Sequence, residues 1–93
     1  MHIVVLTMRF SLPGCRSLKE KRQRMGGIQE RYGRQPAVAV CESGDRDRLD
    51  SSEWSFVVTG LSAQEVESLC SEIEDRMQRT VEARVTDVIR EKL

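Results

Sequence analysis

Ninety-three residues, 39% of them hydrophobic and 32% charged, describe one soluble globular domain spanning residues 1–93. A chain of this length buries roughly 60–65% of its unfolded surface, which excludes a deep enclosed active site, while the apolar content excludes disorder. The formal net charge of zero hides a segregation: residues 1–34 carry eight Lys/Arg against Glu20 and Glu30, and the remainder is correspondingly acidic.

His2 to Phe10 is rich in β-formers, with Val4, Leu6, Met8 and Phe10 on one face and Ile3, Val5, Thr7 and Arg9 on the other. Apolar character on both faces predicts a central strand. Leu12-Pro13-Gly14 ends it, because Pro lacks the ladder N–H and Gly accepts positive φ. The first helix is expected from Ser17 to about Tyr32, opened by a Ser17/Glu20 capping box and closed near Gly33. Leu18, Met25, Ile28 and Tyr32 share one arc of that helix, but Lys21 and Arg22 interrupt the stripe. Those two cations either snorkel or have a function. Gly26 and Gly27 fall mid-helix, where they permit close backbone approach or weaken the helix locally.

Ala37 to Ser43 reads as a second strand, residues 44–53 as a polar loop, and Trp54 to Thr59 as a third strand paired back on the second. A second helix follows, capped by Ser62 and Glu65, with Leu61 and Val66 placed for a hydrophobic staple. Its core stripe is Val66, Leu69, Cys70, Ile73 and Met77, and Glu65, Glu67, Glu72, Glu74 and Asp75 form its solvent side. A last strand is expected from near Thr80 through Val81, Ala83 and Val85 to Ile89, with an irregularity at Asp87. The order β-α-β-β-α-β predicts an α+β, ferredoxin-like fold: a four-stranded antiparallel sheet with two helices on one face. The other face is left open, and Ile3, Val5 and Val57 on it make a candidate interface for a homodimer or a protein partner.

The stretch LPGCRSLKEKR, Leu12 to Arg22, after a strand opening MHIVVLTMRF, resembles the YlxP-like family of small conserved bacterial proteins of unknown function. Its recurrent Leu-Pro turn and Ser-Leu-Lys-Glu-Lys-Arg core match at Ser17, Leu18, Lys19, Glu20, Lys21 and Arg22. The resemblance implies a ferredoxin-like fold and, because the family's genes often lie among those for translation initiation and ribosome maturation, an RNA- or ribosome-related role. The sequence departs from the family at GDRDRLDSSEW, which lacks a Gln-Asp-x-Trp-Gln pattern, and at Gly26-Gly27, where an apolar or basic pair is usual.

The basic start of the first helix is the main functional lead. Free N–H groups there, with Arg16, Ser17, Lys19, Lys21 and Arg22, form a candidate nucleic-acid or phosphate contact. Against that reading stands a solvated, salt-bridged helix: Lys19 and Arg22 fall on one flank, Arg24 and Arg31 on the other, and Lys21 within the apolar arc, so the cations form a collar and not a stripe. Trp54 and Phe56 share a strand face, yet the chain has only four aromatics and no Lys/Arg-Gly-Phe motif, so core packing is preferred to base stacking on the sheet.

Catalytic signals are weak. Cys15 precedes a helix start beside Arg16, but His2, the sole histidine, lies at the far end of strand one. Cys41 and Cys70 read as core positions, and three cysteines without paired spacing predict neither disulfides nor zinc. Asp45-x-Asp47 fails the calcium-loop pattern at Leu49 and Asp50, and Leu12-Pro13-Gly14 is no P-loop. No apolar run reaches membrane-spanning length, and Ile3 to Leu6 has no signal-peptide flanks. The sequence therefore predicts a cytoplasmic, non-enzymatic accessory protein without cofactor, metal, membrane or small-molecule substrate. It would bind RNA or a ribosomal particle through the turn and first helix, or act as a homodimerisation module through the open sheet face.

Overall fold

The computed structural model describes all residues from Met1 to Leu93. The elements are β1 (His2–Ser11), α1 (Leu18–Arg24), α2 (Ile28–Tyr32), β2 (Val38–Gly44), β3 (Ser51–Gly60), α3 (Ala63–Thr80) and β4 (Arg84–Lys92). The strands form one antiparallel sheet in the order β2-β3-β1-β4. β1 is central, as its two apolar faces require. Each helical crossover joins strands that run parallel with an antiparallel neighbour between them: β1 to β2 across β3, and β3 to β4 across β1.

Period-two alternation decides which side is covered. Val4, Leu6, Met8 and Phe10 of β1 sit opposite Val58, Phe56, Trp54 and Ser52 of β3, and their side chains share one core with residues of α2 and α3. The α2 and α3 contribution to this core is Ile28, Tyr32, Val66, Cys70, Ile73 and Met77, with Leu12 and Met25 closing the end near the first turn. Tyr32 meets Phe56 edge-to-face at 5.5 Å between ring centroids. Ile3, Val5, Thr7 and Arg9 point to the other face, which no helix covers.

The α3 expectation holds in most parts. Ser62 Oγ accepts from the Glu65 N–H at 3.1 Å, and Val66, Cys70, Ile73 and Met77 are buried. The staple does not form, because Leu61 is 87% exposed. The expected first helix is two helices. Gly26 and Gly27 adopt φ of +70° and +67°, a left-handed pair that only glycine takes readily, so α1 stops at Arg24 and α2 restarts at Ile28. The turn between them lets Met25, Ile28 and Tyr32 all reach the core.

Three boundaries also move. β3 begins at Ser51 and not at Trp54, which shortens the polar loop, and α3 continues to Thr80, so that β4 starts only at Arg84. The irregularity in β4 is a bulge: Arg9 pairs with Asp87 and Phe10 with Val85, leaving Thr86 as the extra residue. Cys41 lies exposed on β2, not in the core; Cys70 is buried, and burial pushes its thiol pKa up.

Candidate functional site

Lys21 is one of only two buried polar or charged residues, 4% exposed in a chain whose other lysines lie at the surface. Its position on the apolar arc of α1 turns the side chain inward, and the ammonium reaches the loop after β2. Nζ donates to the carbonyls of Asp45 and Arg48, each at 2.7 Å, and lies 3.1 Å from Glu42 Oε2. The Arg46 carbonyl is a weaker neighbour at 3.4 Å. Three strong acceptors match the three protons of an ammonium.

Glu42 completes the arrangement. Its Oε2 also accepts from Ser52 Oγ at 2.7 Å, and Ser52 is the second buried polar residue. Lys21, Glu42 and Ser52 thus join α1, β2 and β3 in one buried polar cluster, and the two loop carbonyls tie in the turn. That turn is tight: Asp45 has φ +57°, the Arg48 N–H donates to the Asp45 carbonyl at 3.0 Å, and Ser51 Oγ donates to Asp45 Oδ2 at 3.0 Å. The Arg48 guanidinium beside Asp50 holds that carboxyl below its usual pKa.

The clamp sets the loop against α1 with a groove of about 320 Å³ between them. Leu18, Met25 and Trp54 supply its apolar surface; Arg22, Gln29, Arg46 and Asp47 supply its polar surface; the Lys21–Glu42 pair lies among them. Leu18 is 44% exposed, which leaves an apolar side chain facing solvent at the groove edge. Trp54 stands on the helix-covered side of β3, half-buried, and its indole Nε1 is buried with no hydrogen-bond partner.

The five sequence-predicted contacts separate here. Ser17 serves as the α1 cap, its Oγ accepting from the Glu20 N–H at 3.0 Å. Glu20 answers at the Arg16 N–H, 3.3 Å away, and not at the cap residue's own. Arg16, Lys19 and Arg22 are exposed and form no ion pair, although Arg22 Nε donates to the Leu18 carbonyl at 3.3 Å. Lys21 is withdrawn from solvent and its protons are committed to the loop. Arg22 and Lys21 border the groove; Arg16, Ser17 and Lys19 do not.

Sequence reasoning missed Glu42 and Arg46. Glu42 had a signal, an acidic residue on the inward face of a strand two positions after Val40; Arg46 had none, since only the fold of the loop brings it to the groove that Arg22 borders. Arg24, expected on a flank of the collar, instead binds the chain to itself. Its guanidinium donates to the Pro13 carbonyl at 2.9 Å and the Glu82 carbonyl at 2.8 Å, and the Glu82 N–H returns a bond to the Arg24 carbonyl at 2.7 Å.

On the helix-free face, Ile3 and Val5 are half-buried and Val57 is 40% exposed, with Ile89 of β4 also exposed opposite Thr7. The same face turns polar toward the 45–50 loop: Thr7 and Ser55 hydroxyls lie 3.2 Å apart, Ser43 donates to Glu53 at 2.8 Å, and Arg9 pairs with Glu53 at 3.0 Å. No group of three His, Cys, Asp or Glu side chains converges to hold a metal ion. No helix is long and apolar enough to cross a membrane.

No curated protein matches the chain. A family profile described as "Protein of unknown function (DUF503)" matches residues 3–90, nearly the whole length and every element that builds the groove. The chain belongs to that family of small uncharacterised proteins.

Proposed function

We propose that this chain is a cytoplasmic, non-enzymatic accessory module that binds RNA or a ribosomal particle through the first turn and α1. The contacts are Arg16, Lys19 and Arg22, joined by Arg46 from the facing loop. The observation that carries this reading is the state of those cations: all four are exposed with no carboxylate paired to them, and Arg22 and Arg46 line the same groove. Unpaired guanidinium and ammonium groups are free to replace the counterions of a phosphate backbone. The resemblance of Leu12 to Arg22 to the YlxP-like family supports the same direction. Lys21 belongs to the scaffold of this surface and not to its contacts.

We also read the order β2-β3-β1-β4 with its two crossovers as the ferredoxin-like βαββαβ arrangement, α1 and α2 together taking the place of its first helix. A shared fold assigns no function; the exposed cations do the contacting. Replacing Arg16, Lys19 and Arg22 together by Ala tests it in a binding titration against single-stranded RNA over a range of salt. The salt slope is expected to fall by about 2 for three lost contacts. No RNA binding by the unaltered protein at low salt overturns the reading.

A second reading, homodimerisation through the helix-free face, is favoured by one observation: Val57 is exposed opposite Val5, and Ile89 is exposed opposite Thr7 on the same face. Sedimentation equilibrium at high protein concentration decides it. A monomer throughout contradicts it, and a dimer lost on Val57→Lys supports it.

A further inference from the structure

We infer that the groove between α1 and the loop of residues 45–48 holds one unstacked base of single-stranded RNA, with Arg22 and Arg46 taking the phosphates on either side. The inference rests on the RNA reading above and gives it a place and a strand type.

The groove is built for more than charge. A surface that only collects phosphates has no use for an apolar floor, yet Leu18, Met25 and the Trp54 ring line this one. A base in a duplex hides both ring faces, whereas single-stranded RNA offers them to aromatic and apolar side chains. The volume, about 320 Å³, lies at the small end of the ~300–1,000 Å³ typical of ligand sites and suits a single planar group. Arg22 and Arg46 at the rim are unpaired, so the charge complements a phosphate entering and leaving the groove. Gln29 and Asp47 offer the donors and acceptors that a base edge requires.

The partner is not set by one element. α1 brings Leu18 and Arg22, β3 brings Trp54, and the loop brings Arg46 and Asp47. Lys21 is the positioning residue that holds the last two in place through the carbonyls of Asp45 and Arg48.

Trp54 is the single tryptophan, so the intact protein reports on its own groove. The experiment titrates it at low salt with a single-stranded RNA hexamer and with an abasic hexamer of equal length, following Trp54 emission and, by competition, total affinity. The expected result is saturable quenching by RNA only, with RNA bound about tenfold more tightly than the abasic strand. Leu18→Ala, at a position 44% exposed and outside the core, narrows that margin by weakening RNA more than the abasic strand. Arg46→Ala weakens both. Equal affinity for the two strands with no change in Trp54 emission overturns the base site while the phosphate-binding reading stands. Binding of neither strand overturns both. An acidic peptide that quenches Trp54 and displaces RNA with equal affinity also overturns the base site, by making the groove a peptide surface.

Discussion

Helix α3 covers the central strands β3 and β1 with eighteen residues in one unbroken run, whereas the α1–α2 side is built from seven and five residues on either side of two left-handed glycines. Charge follows the same division. Around α3, Arg90 lies 2.9 Å from Glu67 and pairs with Glu74 as well, Lys92 approaches Glu67, and Arg76 approaches Glu72. Around α1 and α2, Arg16, Lys19, Arg22, Arg31, Arg34 and Arg46 have no such partners, and the two cations that are satisfied, Lys21 and Arg24, are tied into the chain itself. The difference teaches where selection for packing ends. α3 gives its apolar stripe to the core and pairs Glu67, Glu72 and Glu74 with cations, leaving Arg79 unpaired; α1 and the loop facing it hold a polar cluster inside and leave Arg16, Lys19, Arg22 and Arg46 unpaired outside.

That comparison can be broken in several places. The largest effect belongs to the α3 side. Ile73, fully buried at the centre of the stripe, is expected to cost about 4 kcal/mol on replacement by Ala, read from urea unfolding. Next comes Lys21→Ala, expected to destabilise by about 3 kcal/mol, because it strips the partner from Glu42 and two loop carbonyls at once. A change below 1 kcal/mol would mean that the ammonium is not the clamp described above.

Gly26→Ala sharpens the contrast between the helices. An added Cβ meets the Thr80 carbonyl at an ordinary 3.5 Å, so the expected loss of about 1 kcal/mol comes from the left-handed backbone alone. A gain in stability would instead identify the break as a weakness of the helix. The smallest effect is expected at Tyr32, whose buried hydroxyl has no partner. Tyr32→Phe keeps the contact with Phe56 and removes an unpaired polar group, so it should be neutral or stabilising by up to about 1 kcal/mol. Burial also raises the Tyr32 pKa above its ordinary 10.0, Arg76 and Arg31 opposing it weakly. With the folded pKa raised, the neutral hydroxyl's contribution is complete below pH 10 and is lost as pH rises through the folded value. Alkaline unfolding should therefore come at higher pH in Tyr32→Phe.

Much of this division was legible in the residues. α3 announces itself through Ser62, Glu65 and the Val66-to-Met77 stripe because local capping and a wide apolar arc agree. The central place of β1 follows from Ile3 and Val5 opposite Val4 and Leu6. Lys21 was visible as an anomaly on an apolar arc, but its acceptors were not, since backbone carbonyls in a turn leave no mark on a sequence. Gly26-Gly27 could be seen as unfavourable to a helix; that both residues turn left-handed, and so split it, depends on the core drawing Met25, Ile28 and Tyr32 inward together. The Leu61 staple failed although its pattern was correct: Gly60, not Leu61, lies against Val66, and the Leu61 side chain is exposed. Arg46 entered the groove only through the fold of its loop.

The central claim is that the open cations of the α1 side, and not the satisfied ones of the α3 side, meet a phosphate backbone. Two triple variants compared in one salt titration against single-stranded RNA test it most directly: Arg16, Lys19 and Arg22 to Ala, and Arg76, Arg90 and Lys92 to Ala. The account predicts a salt slope smaller by about 2 for the first and unchanged for the second. Equal losses in both, or a loss confined to the second, would contradict it.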